Sequence, residues 1–129
     1  MKHWISRWLL VVASLHTMFA FVMLGPVMLT MLRSGLFNSV KSDMHAGVTA
    51  WFFLFGILLA LFALPLHALE KACMALPKAL GWGLFGLGVL GVVLMPESGF
   101  WLVFPPALAI MAGKTGARID AAAPRGVPQ

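Results

Sequence analysis

The chain has 129 residues, 61% hydrophobic and 10% charged, with a net charge of +5 and a single cysteine. Soluble domains carry about 25% charged residues, and a chain this short has too little interior to hide so much apolar surface, so a water-soluble catalytic domain is excluded. The lone Cys73 excludes an internal disulfide, and the basic residues lie at the ends of apolar runs and in the tail, which points to orientation in a membrane and away from nucleic acid.

The first element follows a short basic start, Met1 to Arg7. The uncharged run over 8–32 is longer than the roughly 7 to 15 residues of a signal-peptide core and ends without a small-x-small cleavage site, so it reads as a retained span with a bend at Gly25-Pro26. Arg33 to Met44 is polar and turn-rich, and Ser42-Asp43 is placed to cap the second helix, 45–69. Pro65 is expected to perturb its last turns. A short loop follows, with Pro77 suited to the first turn of the third helix.

The third span, 78–95, carries Gly81, Gly83, Gly86, Gly88 and Gly91. Each would cost about 1 kcal/mol against alanine in a helix exposed to water, whereas in lipid small residues let another helix approach. At about 100° per residue, Gly81, Gly88 and Gly91 share one line and Gly83 and Gly86 another, so the sequence predicts packing on both sides of a central helix. The break Met95-Pro96-Glu97-Ser98-Gly99 reads as a tight turn into a fourth span, 98–118. Phe100 to Gly113 alone is too short for a hydrocarbon core of about 30 Å, and Pro105-Pro106 disfavours helix just before it. Lys114 and Arg118, snorkelling toward the headgroups, restore the length; a re-entrant hairpin is the alternative. The expected fold is all-α, an integral membrane bundle of four transmembrane helices within 1–113, with 119–129 a disordered tail.

Orientation follows from Lys and Arg. Lys2, Arg7, Lys71, Lys78, Lys114, Arg118 and Arg125 fall on one side, Arg33 and Lys41 on the other. The positive-inside rule then places both termini in the cytoplasm. Trp4, Trp8 and Trp82 fall near inner helix ends and Trp51 and Trp101 near outer ones, as interfacial belts require.

The chemistry is sparse. His16 lies about 12 Å past Trp8 along the first span, and an ionisable group at that depth is either a hydrogen-bonding packing residue or a ligand- or proton-handling one. His67 lies near the inner end of the second span, about 8 to 9 Å shallower than His16, which disfavours a haem held by both. On the outer side Asn38, Asp43, His45 and Glu97 form a candidate ligand-binding set, but no metal-ligand spacing such as HExxH accompanies them. They read as solvated or paired loop groups. No acidic residue lies within a span, which disfavours proton-coupled antiport of the small multidrug type. There is no Walker loop, nucleophile elbow or CxxC, so no catalytic residue, metal or cofactor is expected.

Several phrases occur together: Leu15-His16-Thr17, Gly35-Leu36-Phe37-Asn38, Ala50-Trp51-Phe52-Phe53-Leu54-Phe55-Gly56, Leu80-Gly81-Trp82-Gly83, Val93-Leu94-Met95-Pro96-Glu97-Ser98-Gly99-Phe100-Trp101-Leu102 and Pro105-Pro106. Through them nearly the whole chain, the tail excepted, resembles a family of small bacterial inner-membrane proteins with four predicted spans and unknown function. The resemblance implies a fold and a multi-pass location but brings no activity, ligand or catalytic residue; it draws attention to His16, Asn38 and the turn from Pro96 to Trp101. Two functional expectations stand. One is a non-enzymatic structural or accessory component whose partners are the lipid bilayer, a membrane protein or a second copy. The other is a transporter of a small apolar solute, or a protein handling a lipid or quinone through His16. Nucleic acid is not an expected partner.

Overall fold

Four α-helices and a 3-10 turn make up the computed structural model, which describes residues 3–40 and 43–113 and has no strand among them. The helices are α1 (Trp4–Arg33), α2 (Met44–Lys71), α3 (Lys78–Leu94) and α4 (Phe104–Met111), with the 3-10 turn at Gly99–Val103. The all-α expectation is met. Lys41, Ser42, the extension of the fourth span through Lys114 and Arg118, and the tail 119–129 lie outside the described residues.

With 30 and 28 residues, α1 and α2 are about 45 and 42 Å long at 1.5 Å per residue, more than the roughly 30 Å of a hydrocarbon core. Among the described residues they are the two helices long and apolar enough to cross a membrane. The four-span expectation meets that length requirement only twice, because Lys78–Leu94 and Gly99–Met111 are shorter apolar helices. Met95-Pro96 stops the first of these, and the second is a 3-10 turn followed by an α-helix that opens at Phe104, just before Pro105-Pro106. Only 22% and 17% of the most apolar windows of α1 and α2 are buried, whereas the core helix of a soluble domain is mostly buried. Val11, Met18, Phe19 and Val22 of α1 and Trp51, Leu58 and Leu61 of α2 are exposed. Both helices run on through their prolines, Pro26 and Pro65. Each proline removes one N–H from its ladder. Arg33 and Lys71 close the two helices, where cations complement the negative end of the helix dipole.

The described chain divides into two units, Ser6–Pro65 and Met1–Ile5 with Leu66–Gln129. In the first, the connection after α1 turns through left-handed backbone at Gly35 (φ 86°) and Asn38 (φ 55°), conformations that glycine and asparagine tolerate best. Asp43 then caps α2, its Oδ1 accepting the N–H groups of His45 at 2.9 Å and Ala46 at 3.4 Å. This is the cap the sequence points to.

In the second unit, α3 and the segment from Gly99 to Met111 form a hairpin. Ser98 organises the turn: its hydroxyl donates to the Met95 carbonyl at 2.6 Å and its Oγ accepts the Phe100 N–H at 3.5 Å. Trp101 Nε1–H donates to the Pro96 carbonyl at 2.9 Å. Pro105 falls in the first turn of α4, where its missing N–H would have had no helical partner. Gly81, Leu84, Gly88 and Gly91 form the buried side of α3. A Cβ at residue 81 would stand 2.9 Å from the Met111 backbone nitrogen and 3.0 Å from the Ala107 carbonyl oxygen; at 88 it would stand 3.2 Å from Phe104 Cε1; at 91 it would collide with the Phe100 ring. The register is antiparallel, with aromatic side chains seated where α3 has none. The other glycine line differs from expectation: Gly83 and Gly86 are exposed, and a Cβ there meets no described atom within 4 Å. Of the five glycines, three make the one packed face of α3.

Alanine at 81 or 91 should overpack this hairpin and cost about 1–3 kcal/mol, whereas Gly83→Ala should be neutral or stabilising by up to about 1 kcal/mol. Thermal unfolding of the detergent-solubilised variants measures both; equal losses at 83 and 91 would contradict the one-sided seam.

Candidate functional site

His16 and Thr17 lie on α1 facing α2 within the unit Ser6–Pro65. The His16 Nε2 is 3.0 Å from the Phe52 carbonyl oxygen. A carbonyl has no proton to give, so Nε2 carries the hydrogen and donates it. The ring is stacked on Phe52 (centroids 4.0 Å, 15°) and edge-on to Phe55 (5.6 Å). One turn on, a Cβ at Gly56 would stand 2.6 Å from Thr17 Oγ1, so the helices close where α2 has no side chain. The imidazole ties α1 to α2 through both a hydrogen bond and an aromatic stack. A shallow apolar groove runs beside it, lined by Ala13, Thr17, Phe21, Gly56 and Ala60 among others, and His16 is not part of its lining.

The remaining candidates are placed by their local backbone. Asn38 and His45 are exposed, Asn38 as a left-handed turn residue. Asp43 holds the α2 cap and meets His45 through the latter's backbone N–H. The His45 carbonyl accepts the buried Thr49 hydroxyl at 2.7 Å. Glu97, exposed in the turn after α3, belongs to the other unit.

Among the described residues, one group of three or more potential metal ligands comes together, and the outer-side candidates are not in it: His3, His67 and Glu70, with one donor atom from each lying within 4.8 Å of the others. His67 and Glu70 are one turn apart on α2, a spacing that puts both on one face. His3 immediately precedes α1 in left-handed backbone (φ 69°). Its Nδ1 is shielded from solvent, and its ring lies 5.6 Å from that of His67. Glu70 is 9% exposed, and its Oε1 accepts the Ile5 N–H in the first turn of α1 at 3.2 Å. In the sequence His67 stands out only beside His16, and His3 and Glu70 do not stand out as candidates. The legible signal was His67-Ala68-Leu69-Glu70 at the end of an apolar run; nothing in the sequence says that His3 returns to it.

The family model of DUF6463, a family of unknown function, matches residues 1–117. The chain belongs to this family. No curated protein and no solved structure matches the chain. The DUF6463 match takes in all four helices and every candidate residue named above.

Two substitutions separate tie from cap. His16→Phe keeps a stacking ring but loses the bond to Phe52, and should cost about 0.6 kcal/mol, the average for interhelical hydrogen bonds between membrane helices, and at most about 1.7 kcal/mol. Asp43→Ala should cost about 0.5–2 kcal/mol through loss of the α2 cap. Denaturant titration in detergent reads both, and an unchanged midpoint in either variant would remove the role assigned to that residue.

Proposed function

We propose that the chain is a four-pass protein of the bacterial inner membrane with both ends in the cytoplasm, acting as a non-enzymatic structural or accessory component. The observation that carries this reading is how the polar groups within the long helices are used. The His16 imidazole bonds the Phe52 carbonyl, the hydroxyls of Ser14, Thr30 and Thr49 each donate to the carbonyl four residues earlier, on Leu10, Pro26 and His45, and Ser34, just past α1, donates likewise to Thr30. Groups bound in this way hold helices in shape and together; they are not presented to a substrate. The apolar side chains exposed along α1 and α2 suit lipid, and the distribution of Lys and Arg sets the orientation. Lipid and neighbouring membrane helices are the contacts this surface takes.

Cys73, exposed in the loop between α2 and α3, is a built-in reporter of topology. A membrane-impermeant maleimide should leave it unlabelled in intact cells and label it after permeabilisation. With Cys73 replaced by serine, Ser39→Cys and Glu97→Cys should both be labelled from outside. Protection of Glu97→Cys in intact cells would show that the α3–α4 hairpin does not cross, and would reduce the protein to two spans.

The accessory role is tested by native mass spectrometry of protein extracted gently from its own membrane. A co-purifying polypeptide, or protein free of small molecules, fits it. A bound lipid or quinone that is lost on His16→Ala would replace it with the ligand-handling reading.

A further inference from the structure

We propose that His3, His67 and Glu70 bind one divalent first-row transition-metal ion of the zinc type, clipping the start of α1 to the end of α2. The donor set decides the class of ion. Two imidazoles and one carboxylate suit zinc, cobalt, nickel, copper and iron, whereas magnesium and calcium take oxygen ligands. Donor atoms held about 2.0–2.2 Å from a tetrahedral ion stand roughly 3.3–3.6 Å from one another. The three here already lie within 4.8 Å of each other, about 1 Å beyond the separations that ligation requires.

The local structure supports ligation in two further ways. Spacing of three residues on α2 aims His67 and Glu70 from one face, so two of the ligands are set by helix geometry alone. The Ile5 N–H fixes the Glu70 carboxylate through Oε1, as outer-sphere donors fix ligating carboxylates in metalloproteins. A carboxylate has two oxygens and about four lone-pair sites, so that bond and ligation are compatible. Lys71, next in sequence, is exposed. Three protein ligands leave a fourth position to water, so the ion exchanges with the medium more readily than in a closed four-ligand site. The same three groups could instead form a hydrogen-bonded cluster that takes no ion, and the experiment distinguishes the two.

The full chain, carrying a C-terminal tag without histidine, is purified in detergent, stripped with chelator and titrated with Co2+ and then Zn2+. The expected result is one Co2+ per chain with the visible absorption of a tetrahedral nitrogen–oxygen site, displaced by Zn2+, and a rise in Tm with Zn2+. Affinity should fall by more than about a hundredfold in His67→Ala and in His3→Ala, beyond the 10–100-fold that loss of an outer-sphere partner costs. Glu70→Gln guards against misfolding: it keeps an oxygen for the Ile5 N–H but loses the anionic ligand, and should fold while binding more weakly. His16→Ala and His45→Ala should bind as the parent does. Absence of the cobalt absorption, or binding that survives loss of both His3 and His67 or disappears with His16 or His45, would overturn the site and leave a hydrogen-bonded cluster.

Discussion

The constraint on which the structure rests is that a chain with few polar side chains must satisfy its backbone from within. Every N–H and C=O removed from water needs a partner, and in apolar surroundings a helix supplies these bonds inside a single segment. That accounts for the absence of strands among the described residues and for the use of hydroxyls in the long helices. Where the helices end, the rule persists. Asp43 takes two N–H groups at the start of α2, and Ser98 takes one as the chain re-enters helix. Turn, cap and helix interior are solutions of one requirement.

Helices that meet these terms still have to associate, and burial of apolar surface gives little help where the surroundings are equally apolar. Close contact has to come from shape. In the α3–α4 hairpin, glycine lets Phe100 and Phe104 sit against the α3 backbone, and Phe85 meets Phe104 edge-on at 5.4 Å. In the α1–α2 unit, Gly56 does the same for Thr17, and His16 adds a directional bond. The two units thus share a device in which one helix gives up a side chain where the other needs space.

What the sequence showed and what it hid divide along these lines. Helix positions were legible because apolar runs, prolines and a capping Asp43 are local signals. The α3 seam was half legible: helical geometry separated the two glycine lines, but it cannot say which line meets a neighbour, and Gly83 and Gly86 remain open. The role of His16 was read as one of two options, since a sequence gives depth but not what lies opposite. The outer residues Asn38, Asp43, His45 and Glu97 read as solvated or paired loop groups or as a ligand set, since a sequence does not show their backbone; in the structure Asn38 is a left-handed turn residue and Asp43 caps α2. The cluster at His3, His67 and Glu70 was invisible as a set because it joins positions more than sixty residues apart, as the separation of 65 between Ile5 and Glu70 records.

Glu70 is the residue whose placement most resists explanation from its own helix. An acid in the last turn of α2 faces the negative end of that helix's dipole, where a cation is favoured, and Lys71 beside it is the residue expected there. Burial to 9% exposure adds a desolvation cost that a carboxylate bears only with compensating partners. The compensation comes from α1. Its first turn has N–H groups without helical acceptors, and Glu70 accepts one of them, from Ile5, while its charge sits at the positive end of the α1 dipole. The carboxylate is misplaced for α2 and well placed for α1. Two imidazoles within reach then make this helix end the point at which the protein concentrates donors that the rest of its length spends on the backbone.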